Sequence, residues 1–168
     1  MTIDYLEGCL TEEEKQELQS VSSDIYIHFF VEKPGMSYAA LDDLYGHIVI
    51  WLTSREVQAF INAVELLSIF CKIVKKIREY SNNKSIVRID SEMKKIVHKK
   101  NTIIQVDNIM ILKPENLNNL SSENEYLHLA LSAIANGKLP KNKDIVISYD
   151  GEPHFETIEQ YAERKNKK

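Results

Sequence analysis

The chain has 168 residues, 43% hydrophobic and 27% charged, with a formal net charge of −4. A chain of this size buries about 70% of its unfolded surface, so it can build a core without a disulfide or metal staple, and its composition excludes collagenous, low-complexity and disordered classes. Two cysteines, Cys9 and Cys71, are too few for a disulfide framework and suit a reducing compartment.

One domain over residues 1–168 is expected, with 1–20 as a peripheral N-terminal segment and 163–168 frayed. The acidic N-terminus has no basic region followed by an apolar run, which argues against a signal peptide. The most apolar window, 57–77, is interrupted by Gln58, Asn62, Glu65, Lys72, Lys75 and Lys76. That is too polar for the roughly 20 lipid-facing residues of a membrane span. A cytoplasmic location without a membrane partner is expected.

In chain order, residues 9–20 read as a short surface helix, with Thr11 as N-cap and Glu14 at the capping-box position three residues on. Residues 24–33, DIYIHFFVEK, read as a strand. Both of its faces are apolar: Ile25, Ile27, Phe29 and Val31 on one, Tyr26, His28 and Phe30 on the other. Residues 47–53, HIVIWLT, form a second such strand. Strands apolar on both faces are normally covered on both sides, so both are placed centrally in a sheet. The link 34–46 is long for a hairpin and is expected to hold a helical turn through SYAALDDLY.

The clearest element is a helix over 54–80, capped by Thr53 with Glu56, with Val57, Phe60, Ile61, Val64, Leu67, Cys71, Val74 and Ile77 at steps of three and four. About 26 residues give a rod of roughly 39 Å, too long for a small domain to cover, so its overhang is expected to support a homodimer. Residues 85–89 read as a strand. Residues 91–101 are ambiguous between a helical turn capped by Ser91 and a strand over 93–98. Residues 102–114 read as a strand pair, or one strand bent at Asp107 and Asn108, ended by Pro114. The stretch SSENEYLHLALSAIANGKLP is a helix, with Ser122 and Glu125 at capping-box spacing and Gly137 at its C-terminal stop. Then come a strand, an Asp150-Gly151 turn, a short extension and a last helix capped by Thr157. Strands and helices do not alternate strictly. The expected fold is a single α+β domain, with a mixed or mostly antiparallel sheet packed against one long helix and two or three shorter ones.

Charge is unevenly distributed. Residues 1–70 hold twelve acidic and three basic side chains, residues 71–115 five and eleven, and residues 116–168 eight and seven. Lys72, Lys75, Lys76, Arg78 and Lys84 end the long helix, where the helix dipole favours cations without any ligand. Arg88, Lys94, Lys95, Lys99 and Lys100 have no such explanation and form the candidate binding patch. Against nucleic acid stand the pI of 5.8 and the scarcity of rings, Tyr80 and His98 being the only ones in the block. No RNA-recognition, zinc-finger or glycine-rich phosphate motif occurs. The acidic first block points instead to a basic protein partner, whose association complementary fields would speed, although acids at a helix start are also what the dipole favours.

Two constellations carry possible chemistry. His28 and His47, with Asp42 and Asp43 between them, are candidates for an acid–base pair or a metal site if their strands are neighbours. A histidine among aromatic residues is more often a hydrogen-bonded core or edge residue. Asp150, Glu152 and His154 sit on a turn that turn chemistry alone explains. No GxSxG, SxxK, Walker, CxxC or HExxH pattern occurs. The sequence therefore predicts a non-catalytic protein-binding module, an inhibitor, immunity-type or adaptor protein, acting through segregated charged surfaces and needing no cofactor. A nucleic-acid-binding regulator using 75–100 is the first alternative. A metal-dependent or acid–base enzyme centred on His28, His47 and Asp43 is the second.

Overall fold

The computed structural model describes residues 1–32, 48–82, 85–89, 95–99, 102–116, 123–140 and 142–167. Its elements are β1 (Thr2–Leu6), α1 (Glu12–Ser20), β2 (His28–Glu32), β3 (Ile48–Leu52), α2 (Ser54–Asn62), α3 (Val64–Asn82), β4 (Ser85–Ile89), β5 (Lys95–Lys99), β6 (Thr102–Val106), β7 (Ile109–Ile111), α4 (Glu123–Ala135), β8 (Ile145–Tyr149), β9 (Pro153–Thr157) and α5 (Ile158–Asn166). Seven strands form one mixed sheet in the order β2-β1-β3-β6-β7-β8-β9, its pairings alternating between parallel and antiparallel. Strands β4 and β5 form a separate antiparallel pair. The fold is α+β.

The core follows from one row of β-branched side chains. Ile3, Ile50, Ile104, Ile111 and Ile147 are successive cross-strand partners, and all five are fully buried. β-branched side chains suit a pleated surface and stabilise it through such pairs. Leu18 of α1, Val57 and Phe60 of α2, Phe70, Val74 and Ile77 of α3, and Leu127 and Leu131 of α4 join the same cluster. The opposite face carries a smaller cluster, Ile103, Met110, Leu112 and Val146, beneath Ile158 and Tyr161 of α5.

Three local expectations change. The rod over 54–80 is two helices, α2 and α3, meeting at a bend of 117°. Ala63 stops α2 in an extended conformation, φ −130° and ψ 103°. Apolar periodicity runs through the break because both helices turn an apolar stripe to the same core. The bend stacks Phe60 on Phe70 with ring centroids 4.8 Å apart. It also leaves Val64, at the corner, 81% exposed. The stripe on which a dimer through 54–80 was to rest is largely spent inside the chain. Segment 1–20 is not peripheral: β1 lies within the sheet, between β2 and β3, and Ile3, Cys9 and Leu18 are buried. The tail is not frayed from residue 163, since α5 continues to Asn166 and Arg164 is bonded to β8 and β9. No described helix is by itself long and apolar enough to cross a membrane.

Cys9 and Cys71 are buried and not joined in a disulfide. Burial pushes the Cys71 thiol up to about 11, against the opposing pull of nearby Arg78. Since the thiolate is the reactive form, neither cysteine should react with a disulfide reagent at pH 8 in the native protein. Both should react at once in denaturant. Release of one equivalent of chromophore before unfolding would contradict the burial described.

Candidate functional site

Strand β2 stands at the edge of the sheet and β3 in its interior, so the two are not equivalent central strands. One face of the 24–33 stretch does what was expected: Ile25 and Ile27 are buried and Phe29 packs against the core. The other face does not. Tyr26 is 66% exposed and Phe30 63%, while Val31, the cross-strand partner of Tyr5 on the first face, is 52% exposed near the strand end. Register places His28, Thr2 and Trp51 side by side, and Phe30, Asp4 and Val49 side by side two residues further on. Because side chains alternate with period two along a strand, these six share a face. Trp51 is 42% exposed. The ring of Tyr26 meets that of His28 edge-on, with centroids 4.6 Å apart and planes at 76°.

Helix α5 covers this face only over the β6-β7-β8 part of the sheet. Among the described elements none covers the β2-β1-β3 end. Among the described residues the result is an aromatic shelf left uncovered, beside an edge strand that pairs on one side only. Edge strands are commonly protected by Lys or Pro, and the five residues of β2, HFFVE, contain neither. Asp4 lies on this face between Phe30 and Val49, and Asp24 precedes Tyr26 by two residues in the chain.

Of the residues singled out for chemistry, His28 lies on this exposed edge. His47 and Asp43 lie outside the described residues. Strand β1 separates β2 from β3, two interstrand steps of roughly 4.8 Å each, so the neighbouring-strand arrangement on which the His28–His47 pair was premised does not form. Of the basic patch, Arg88 pairs with Ile96, Lys95 with Ile89 and Lys99 with Ser85 in the β4–β5 ladder. Lys94 and Lys100 lie outside the described residues. Of the earlier cations, Lys75 faces Glu79 on its own helix at 4.0 Å, Lys84 lies outside the described residues, and Lys76 and Arg78 meet acids from other parts of the chain. Lys76 pairs with Glu17 of α1, and Tyr80 donates to the same carboxylate at 2.6 Å. Lys76 first, then Tyr80, holds the Glu17 carboxyl below its usual range. Arg78 is buried against Glu123.

The Asp150 turn is a junction. His154 and Asp150 are 2.8 Å apart between Nε2 and Oδ1. Arg164 donates through Nη1 to the other oxygen of Asp150 at 2.9 Å, through Nη2 to Ser148 Oγ at 2.8 Å, and to both oxygens of Glu156. An Asp–His pair beside a serine is the right chemistry for proton transfer. Here, though, both Asp150 oxygens are engaged and the serine oxygen accepts from a guanidinium. The cluster pins α5 onto the β8–β9 hairpin. Among the described residues no group of three or more His, Cys, Asp or Glu is arranged to hold a metal ion.

Sequence reasoning missed the exposure of Tyr26, Phe30, Val31 and Trp51. Its one signal was the doubly apolar strand itself, which fits an open docking edge as well as a buried centre. Comparison of the chain with family models, curated proteins and solved structures finds no match.

Proposed function

We propose that this chain is a non-catalytic protein-binding module, and that its docking surface is the β2 edge with the aromatic shelf beside it. The partner is a basic, extended segment of another protein. It adds a strand to β2 through backbone hydrogen bonds and lays alternate apolar side chains across Tyr26, Phe30 and Trp51, the β-augmentation mode of peptide recognition. The observation that supports this most is the concentration of three large exposed apolar side chains, Tyr26, Phe30 and Trp51, at one end of the sheet, with Val31 exposed on the other face of the same edge strand. Such patches mark interaction sites when contiguous, and buried aromatic anchors dominate interface energies. Charge selects the partner's sign: Asp4 sits within the patch, and residues 1–70 hold twelve acids against three bases. An inhibitor or adaptor role for the chain follows from this reading.

Random-peptide display against the immobilised protein tests it. Enriched peptides should alternate apolar residues with Lys or Arg. Phe30→Asp should weaken an enriched peptide by about 30-fold or more, the size of a hot-spot loss. Val64→Asp, at a still more exposed apolar position but at the α2–α3 corner, should leave it unchanged. Enrichment of acidic peptides, of none, or of peptides indifferent to Phe30→Asp would overturn the proposal.

The β4–β5 ladder favours a second reading. It forms its own two-stranded sheet and bears Arg88, Lys95 and Lys99, and two-stranded ribbons can enter the DNA major groove. On that reading, duplex affinity falls steeply with salt, and changing Lys95 and Lys99 to Glu abolishes it. No binding at low salt rejects it.

A further inference from the structure

At the far end of the sheet, α4 carries more apolar surface than the core uses. Tyr126, Leu127, Ala130 and Leu131 are buried. A second stripe, including Leu129 and Ala133, is only half-buried. A helix apolar on most of its circumference normally has cover on both sides. Phe155 on β9 reinforces the point, being 41% exposed on the core-side face of the edge strand, as cross-strand partner of Ile147. Between α4 and β9 lies an open groove of about 600 Å³ whose apolar walls are Leu129, Ala133, Leu139 and Phe155. That volume is within the range of small-ligand sites.

The polar groups of the groove are asymmetric. Gly137 turns the chain in the left-handed region, φ 63°, with its N–H bonded to Ile134 O at 3.0 Å. That stop brings Lys138 and Leu139 back to the groove. Among the described lining residues Lys138 is the one permanently cationic side chain, His128, Ser132 and Asn136 are the other polar ones, and none is a carboxylate. An ammonium offers only donors. The site therefore suits a ligand with an apolar body and one anionic end, and disfavours a cationic one.

We propose that this groove binds a monomeric single-chain carboxylate amphiphile of fatty-acid type, its chain along Leu129, Ala133, Leu139 and Phe155 and its head at Lys138. The site is at the opposite end of the sheet from the β2 shelf and does not depend on the proposal made for it. Equilibrium dialysis with radiolabelled dodecanoate provides the test, using the full chain. Saturable uptake of one equivalent is expected. Ala133→Trp, which fills the groove from the outer side of α4, should cut affinity at least tenfold, and Phe155→Glu is a second block on another element. Lys138→Glu should weaken dodecanoate roughly tenfold, the order expected for loss of one charge-assisted contact, while leaving dodecanol unchanged. Absence of saturable uptake, equal uptake with either block in place, or tighter binding of dodecyltrimethylammonium would overturn the proposal. So would association only with anionic phospholipid vesicles, which would place the ligand in a membrane surface, and so would an acidic peptide that binds the groove while dodecanoate does not.

Discussion

Replacing Glu123 by Gln should lower the unfolding free energy by about 3–5 kcal/mol, the cost of leaving a buried charge without its partner. Arg78 is 3% exposed. It reaches the carboxylate of Glu123, the first residue of α4, from near the C-terminal end of α3. Its Nε and Nη2 make no hydrogen bond among the described residues. Glu123 is therefore the one counter-charge the guanidinium has there. Burial pushes the Arg78 guanidinium down to about 10, against the opposing pulls of Tyr126 and Cys71. Arg78→Met leaves behind a carboxylate that is 27% exposed and partly hydrated, so it should cost less than Glu123→Gln. Adding Arg78→Met to Glu123→Gln should restore most of the loss, because apolar replacement of a buried pair is often neutral. Urea unfolding measures all three, with the midpoint moving and the m-value constant. A loss below about 1 kcal/mol for Glu123→Gln, the range of exposed pairs, would mean that Arg78 is solvated in solution.

The second large effect is expected at Arg164. Its fork joins β8, the Asp150 turn and β9 to α5 through Ser148, Asp150 and Glu156. Arg164→Ala removes these bonds and takes the guanidinium away from both carboxylates, Asp150 keeping its contact with His154. The expected cost is about 2–4 kcal/mol, since charge-assisted bidentate pairs are the stronger class and these groups are mostly buried. The damage should be local. Amides of α5 should lose hydrogen-exchange protection before those of β6 and β7, because among the described residues the apolar packing of α5 on its sheet cluster rests on Ile158 and Tyr161. Arg164→Lys keeps the charge but not the planar fork and should recover less than half of the loss. Uniform exchange through α5 and the central strands would show that the clamp is not what holds the helix.

These two junctions also show where sequence reading succeeds and fails. Capping boxes were legible because they close within one turn. Thr11 with Glu14 and Thr53 with Glu56 both form as expected, and Thr157 caps α5, with Gln160 completing the box. Arg78 was read as one of several cations at a helix end, and nothing in the sequence tied it to a carboxylate on the next helix. The acidic and basic blocks, separate along the chain, meet at Lys76 and Glu17 for the same reason. Strand β1 was missed because TIDYL is five residues with an aspartate at its centre, too short for alternation to register.

Local chemistry in the sequence determined the α+β class, the helix caps, the Asp150-Gly151 turn and the apolar identity of most core positions, since each depends on residues within a few steps of one another. Tertiary structure alone decided that the 54–80 stretch bends, that β1 inserts between β2 and β3, and that β2 becomes an exposed edge. An apolar period records that a face is to be buried, but not which element buries it. The aromatic shelf and the α4–β9 groove both arise there, as apolar faces that the packing of the described elements leaves open.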